Sequence, residues 1–309
     1  MLREVDRFTT TRSVIVDKIL RSSDGTSVKL IQITKREGFA TIESGRYEVD
    51  GESIFCLSTQ IGCAMGCEFC RSTEPLEFYP GKPQRILRSL SVQEIVDQAF
   101  NAFDVVPPPQ ESAGVVFSYM GIGEPFANLR VVKDSVRQLG VKYPKSRATL
   151  STIAFNTTGI RELANEVVSG MYPIPVKLHV SLHSPSDEQR QQLIPYASSI
   201  SETLDAAEYY AKTTGTTVKL NYVLVAGFND GKADAEKLGA LLAKKQGLVL
   251  KISDLNSDND KFVVPTNDAD RFELWLKEFG IETCRFSSRG KDINAGCGEL
   301  VKGRSSFQT

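Results

Sequence analysis

The sequence predicts a parallel α/β fold. Two observations carry it. From about residue 50 onward, short β-branched runs alternate with longer stretches of helical periodicity. The runs are also continuously apolar, as strands buried on both faces are. Six such units close, or nearly close, into a barrel, with an open doubly wound sheet as the competing arrangement. Both place chemistry at the C-terminal ends of the strands.

Residues 1–50 contain SSDGTSVKLIQITKREGFATIESG and show short strands and turns, an N-terminal β extension packed onto the main domain. The core is expected over 51–290. Its strands are SIFCLSTQI (53–61), GVVFSYMG (114–121), RATLSTIAF (147–155), VKLHVSLH (176–183), TVKLNYVLV (217–225) and LVLKISDL (248–255). Helices fall between them. In SVQEIVDQAFNAF, Ser91 is the expected N-cap, Glu94 completes a capping box, and Leu90 and Ile95 form the staple. Ile95, Ala99 and Phe103 share one face. Asn229-Asp230-Gly231 opens a helix with Leu238, Leu241 and Leu242 on one face. ADRFELWLKEF (269–279) places Phe272, Leu274, Trp275 and Phe279 on a broad stripe. Pro107-Pro108-Pro109 forms a rigid surface connector. Residues 291–309 are a C-terminal segment.

The 309 residues are 41% hydrophobic and 24% charged, which excludes a disordered, collagen-like or coiled-coil chain. A net charge of -1 argues against binding nucleic acid through bulk charge. The start, MLREVDRFTTTRSVIVDKIL, lacks the apolar core of a signal peptide, and no run approaches the roughly 18 apolar residues of a membrane span. A soluble, cytoplasmic protein with reduced thiols and no membrane partner is expected.

Two histidines, His179 and His183, leave the chemistry to the six cysteines. Four of these lie in CLSTQIGCAMGCEFC: Cys56, Cys63, Cys67 and Cys70. The last three have the spacing C-x3-C-x2-C and follow the first core strand. A structural zinc site needs four ligands, its cysteines usually in pairs, and no second pair exists here. Three thiolates suit a four-iron four-sulfur (4Fe-4S) cluster with one open iron. S-adenosylmethionine (SAM) chelates such an iron through its amino and carboxylate groups. This spacing after the first strand of an alternating α/β chain is the signature of radical SAM enzymes. In MGIGEP (120–125), Gly121 and Gly123 allow close backbone approach to a ligand, and Glu124 is placed to accept from the SAM ammonium. Ser151, Ser181-Leu182-His183 and Asn256 fall at or near C-terminal strand ends. His179 is expected to be structural.

The sequence resembles the radical SAM RNA adenosine methyltransferases of the RlmN and Cfr type. The residues that carry the likeness are Cys56-x6-Cys63-x3-Cys67-x2-Cys70, MGIGEP, LSTIAFNTTGI (150–160), SLHSPSD (181–187), NYVLVAGFND (221–230) and SSRGKDINAGCGEL (287–300). The fold implied is a partial (βα)6 barrel of the radical SAM type. The resemblance implies a 4Fe-4S cluster on Cys63, Cys67 and Cys70, and two SAM molecules per turnover. The SAM site would comprise Gly123, Glu124, Ser151, Ser181, Leu182, His183 and Asn256. Cys297 would carry the methyl group on sulfur to C2 or C8 of an adenine in rRNA or tRNA. Cys56 would help remove the proton and release the product through a disulfide with Cys297. Glu43 matches a glutamate proposed as a proton acceptor. An electron donor such as flavodoxin or ferredoxin is implied. Cys284 has no motif.

Members of this family usually carry a small helical domain before the core, and its absence here is an expectation that bears on the substrate. The same mechanism on a small molecule, nucleotide or protein is therefore the alternative expectation. RNA contacts are expected from local clusters: Lys82, Arg85 and Arg88; Lys142, Lys145 and Arg147; and Arg285, Arg289 and Lys291.

Overall fold

The structure, a computed structural model, describes residues 11–36, 40–74, 85–108, 114–256 and 268–300. Lys82, Pro109 and residues 301–309 of the C-terminal segment lie outside them. The main sheet runs in the order β1-β2-β3-β4-β7-β8-β9-β10-β11-β12. Its parallel part holds the six expected strands: β4 (Glu52–Cys56), β7 (Val115–Tyr119), β8 (Arg147–Thr152), β9 (Val176–Ser181), β10 (Val218–Leu224) and β11 (Leu248–Asp254). A seventh, β12 (Thr283–Phe286), pairs in parallel with β11. Its four residues, with Arg285 exposed, lack the apolar run that marks a buried strand. The sheet is the open, partial form of the barrel.

The first strands, β1 (Val14–Arg21), β2 (Ser27–Thr34) and β3 (Thr41–Val49), form an antiparallel meander. β3 pairs with β4, so the extension continues the core sheet. After β4, β5 (Gln60–Gly62) and β6 (Ile86–Ser89) form a separate two-stranded ribbon.

Helices cover the convex face: α1 (Val92–Val105), α2 (Leu129–Lys142), α3 (Thr157–Val168), α4 (Asp187–Leu193), α5 (Ile200–Thr214), α6 (Lys232–Leu242) and α7 (Asp268–Glu278). The expected capping box at Ser91 and Glu94 is present. Leu90 and Ile95, the staple pair, are both buried. Phe55, Phe103, Phe117 and Tyr143 cluster where α1 and α2 meet β4 and β7, with Phe55 and Phe103 centroids 4.4 Å apart. In α7 the stripe differs from expectation. Phe272 and Leu276 are buried, while Leu274 is 63% exposed, because the helix turns it away from the sheet. No described helix is long and apolar enough to cross a membrane.

Strand residues alternate between the two faces. Register then sorts the sheet. Phe55, Phe117 and Ala148 align toward the helices, and Cys56, Ser118 and Thr149 align on the concave face. Continuing across, Thr149 pairs with Lys177, Ser151 with His179, His179 with Lys219, and Asn221 with Lys251. The convex face is apolar and the concave face is polar. That difference is what leaves the inside of the sheet available for binding.

Candidate active site

The loop after β5 carries Cys63, Cys67 and Cys70. Cys63 and Cys67 are buried, and Cys70 is half-buried. Gly62 adopts φ 80 at the start of this loop, where a Cβ would meet the Arg85 carbonyl at 2.2 Å. The three sulfurs are neighbours. Burial, then Cys70 and Cys63, pushes the Cys67 thiol well above its ordinary value. Among the described residues no trio of such groups closes on a single ion position. A 4Fe-4S cube takes each thiolate on a different iron, so it needs three nearby thiols rather than three that meet at one point. The donor set fits such a cluster.

The turn after β7 packs against the strand that leads into this loop. Gly121 and Gly123 are needed there because a Cβ would meet Leu57 backbone at 2.7 Å and Gln60 at 2.6 Å. In this structure their close approach is to the protein's own chain. Glu124 is buried and accepts from the amides of Phe126 (3.0 Å) and Ile153 (3.1 Å). Burial raises its carboxyl to about 7. A carboxylate has lone pairs left after two such bonds, and Glu124 is near enough to Cys67 to affect its thiol.

The strand ends complete this mouth. Ser151, Ser181, Leu182 and His183 stand at the ends of β8 and β9. The Leu182 amide donates to the Asn221 carbonyl at 2.9 Å. His183 is buried with φ 57, accepts at Nδ1 from the Val223 amide at 3.1 Å, and packs edge-on against Phe69. Burial holds its imidazole down to about 3. Asn256 donates to Ser288 Oγ (2.6 Å) and to the Cys297 carbonyl (3.3 Å). Ser151 Oγ and Asn256 Oδ1 are buried with no hydrogen-bond partner. Orphaned polar atoms facing this mouth suit a polar ligand such as SAM.

Arg190, which the sequence did not flag, ties these ends together. It is 1% exposed. It donates to the carbonyls of Ile153 (3.0 Å), Ser181 (3.1 Å), Leu182 (3.1 Å) and Ser198.

Cys56 ends β4 on the concave face, and Cys297 approaches it from the C-terminal loop. Burial, with Cys297 as the second cause, pushes the Cys56 thiol up to about 12. Cys297 is solvent-exposed, yet the protein around it still raises its thiol; the Lys251 ammonium opposes that rise and Cys70 adds to it. The Cys297 thiol lies 3.5 Å from the Met120 thioether. Met120 also presents its backbone amide to Cys56. No disulfide joins the six cysteines in this structure.

The Cys297 loop is held from several sides. Tyr47 Oη donates to the Ala295 carbonyl, Lys29 Nζ to the Asn294 carbonyl at 2.9 Å, and the Arg71 amide to the Gly298 carbonyl at 2.9 Å. Gly45 makes room for Tyr47, since a Cβ there would meet its hydroxyl at 2.2 Å. Glu43 is buried and ion-paired with Lys29 at 2.7 Å. It is not a surface glutamate. Burial raises the Tyr47 phenol well, with Cys56, Cys297, Glu299 and Glu43 as the charged neighbours. Glu43 therefore shares the surroundings of the cysteine pair.

Other expectations change. His179 is not core. Register puts it on the concave face, with its Nδ1 buried and unpartnered. Cys284 is half-buried on β12 opposite Lys251. Of the basic clusters, Arg88 is paired with Glu94 and Arg285 with Asp270 and Glu273. Lys142, Lys145 and Arg147 precede or begin β8, at the end of the sheet opposite the cysteines.

The chain matches the radical SAM superfamily model over residues 57–238. It is similar to the probable dual-specificity RNA methyltransferase RlmN of Alkaliphilus oremlandii, 34% identical over 299 residues that cover 93% of this chain and 79% of that protein. The protein of the same description from Clostridium perfringens is 34% identical over 293 residues, 93% of this chain and 78% of that one. Among solved structures, a radical SAM methyltransferase from Sphaerobacter thermophilus superposes with a TM-score of 0.80 at 30% identity, covering 94% of this chain and 81% of that one. With three closely spaced cysteines in the first loop of a partial barrel and this likeness over most of its length, the chain belongs to the radical SAM superfamily and, within it, to the RlmN-type methyltransferases.

Proposed function

We propose that the protein methylates an adenine carbon, C2 or C8, in ribosomal or transfer RNA, with Cys297 carrying the methyl group. The observation behind this reading is the meeting of Cys56 and Cys297 beside Met120, within electrostatic reach of Cys70. RNA is the substrate class in the names of the relatives. A soluble, cytoplasmic location and an electron donor such as flavodoxin or ferredoxin go with it.

Cys63, Cys67 and Cys70 would hold the cluster, and Glu124, Ser151, Ser181, Leu182, His183 and Asn256 would frame SAM, with Gly123 shaping the turn. Bound there, the cluster and SAM supply the one-electron chemistry that a non-nucleophilic ring carbon requires. Two SAM molecules serve each turnover, one of them as methyl donor to Cys297.

The chain's own groups do the rest. The Lys251 ammonium favours the Cys297 thiolate, the form that attacks a methyl sulfonium. Met120 fixes the sulfur, and Lys29, Tyr47 and Asn256 fix the loop. Cys56 rests as a thiol. A thiolate formed in that setting is strongly basic, suited to taking a proton from carbon. Once it has passed that proton on, it would attack the Cys297 sulfur, so that the S–S bond forms as the S–C bond breaks. The methylene carbon keeps the electron pair and takes a proton to become the methyl group. Glu43 lies beside this pair as a proton acceptor, held by Lys29.

Intact-mass and peptide measurements on the purified protein should find a methyl group, roughly 14 Da (one CH2), on Cys297. The variant Cys56→Ala should retain an RNA fragment covalently on Cys297, and the base recovered from it identifies C2 or C8. Normal turnover by Cys56→Ala with no adduct would overturn the role of Cys56. An unmodified Cys297 in active protein would overturn the carrier.

A further inference from the structure

The concave face beneath the cysteine pair gathers four cations, of which the chemistry above uses Lys251 alone. Arg147 begins β8, Lys177 lies near the start of β9, Lys219 near the start of β10, and Lys251 in mid β11. Register places all four on the same face as Ser151 and Ser181. His179 stands among them. Beyond burial, the charges that act on its imidazole are Lys251, Lys219, Lys177 and Arg147. Lys177 in turn feels Arg147 and Lys219.

Among the described residues one carboxylate, Glu52 at the start of β4, faces this group, and it is engaged by both guanidinium nitrogens of Arg147. Among the same residues the three ammonium groups have no ion pair, and Lys251 lies over the Phe286 ring at 3.7 Å. Like charges held together repel and destabilise a fold. A second, independent observation points the same way. His179 Nδ1 is buried on this face and has no hydrogen-bond partner. Buried polar atoms without partners are rare and mark sites that another molecule completes.

We propose that this face is a phosphate-binding site for the nucleotide whose base is methylated, with Lys177, Lys219 and Lys251 as the charged contacts and His179 as a hydrogen-bonding group. The ligand is a phosphate ester. SAM is placed at the strand ends in the reading above, and Lys177 lies four residues before Ser181, about 13 Å along the strand. A nucleotide with its base at Cys297 and its phosphate directed down the concavity would be met there by the long side chains of Lys177 and Lys219. The inference rests on the reading of an adenine nucleotide as the acceptor, and it adds where the phosphate goes. The phosphate belongs either to a free nucleotide or to an RNA strand.

The test uses the full chain with its cluster reconstituted and SAM present. AMP and adenosine are titrated by calorimetry at low salt, and an adenine-containing RNA oligonucleotide is titrated beside them. AMP is expected to bind at least about tenfold more tightly than adenosine, since two or three charge-assisted contacts separate them. In Lys177→Gln/Lys219→Gln, both sites being exposed, that preference should collapse. Histidine ring resonances give a second measure. With two histidines in the chain, AMP should move the His179 signals and adenosine should not. Weakening of AMP alone assigns the site to free nucleotides, and weakening of both AMP and the oligonucleotide assigns it to a strand; each supports the site. Equal affinity for AMP and adenosine, or an AMP affinity untouched by the double variant, overturns it. The methyl mark on Cys297 is read in the same samples. Its presence with no AMP preference defeats the phosphate site alone, and its absence defeats the carrier reading whatever AMP does.

Discussion

Lys29 in β2 donates to the carbonyl of Asn294 at 2.9 Å, and so ties the N-terminal extension to the loop that carries Cys297. The same ammonium pairs with Glu43 at 2.7 Å, both side chains about 5% exposed or less. Removing one partner of a buried pair costs roughly 3–5 kcal/mol. Lys29→Met should therefore lower the urea midpoint strongly and reduce methylation of Cys297. Lys29→Met/Glu43→Gln should recover much of the stability but not the methyl mark, because the Asn294 anchor stays lost. A wild-type midpoint in Lys29→Met would show that the pair contributes nothing.

Cys56 and Cys297 should differ in reactivity. Cys56 is pushed up to about 12 and stays a thiol at neutral pH. Cys297 is exposed and has Lys251 beside it. Thiolates, not thiols, are alkylated. At pH 8, iodoacetamide followed by peptide mapping should label the unmethylated fraction of Cys297 well before Cys56, and Lys251→Met should slow Cys297 alone. Equal labelling would mean that burial does not separate them.

What the sequence discloses here is what is local. The Ser91–Glu94 capping box spans four positions, and the structure has both of its bonds. The six core strands are legible because their apolar runs are continuous. The cysteine spacing is legible because a cluster needs its thiolates on one loop. The missed features depend on partners far along the chain. Lys29, Tyr47 and Arg190 matter through carbonyls of Asn294, Ala295 and Ile153, and no short pattern announces that. His179 looked like core because it sits between Leu178 and Val180. The strand's period of two puts it on the opposite face from both.

Arg190 should be among the most sensitive positions in the fold. Its guanidinium satisfies four carbonyls at the ends of the strands that frame the proposed SAM site. Each buried acceptor left unpaired costs about 1–3 kcal/mol. Arg190→Met is thus expected to cost at least about 4 kcal/mol, in the range that marks loss of a buried network. Arg190→Lys should recover part of it, since an ammonium reaches fewer of the carbonyls. SAM affinity should fall with stability in both variants, because Ser181 and Ile153 lose their common anchor. Urea titration and calorimetry check the two, and a Met variant within about 1 kcal/mol of wild type would rule out this role.

His183 should make the protein sensitive to mild acid. Its buried ring accepts from the Val223 amide and stays neutral down to about 3, against 6.5 for an ordinary histidine. Between those values the unfolded chain takes up a proton that the native state refuses. The contribution to stability is therefore fully present above pH 6.5 and is lost as pH falls toward 3. At full extent it is on the order of 5 kcal/mol. The comparison belongs between pH 6.5 and 5, before most carboxylates titrate. His183→Asn, which tolerates the positive φ of this position, should be less stable at neutral pH but flatter across that window. His179 titrates in the same direction, so each histidine is replaced singly. Parallel acid slopes in wild type and His183→Asn would show that the proton is taken up elsewhere.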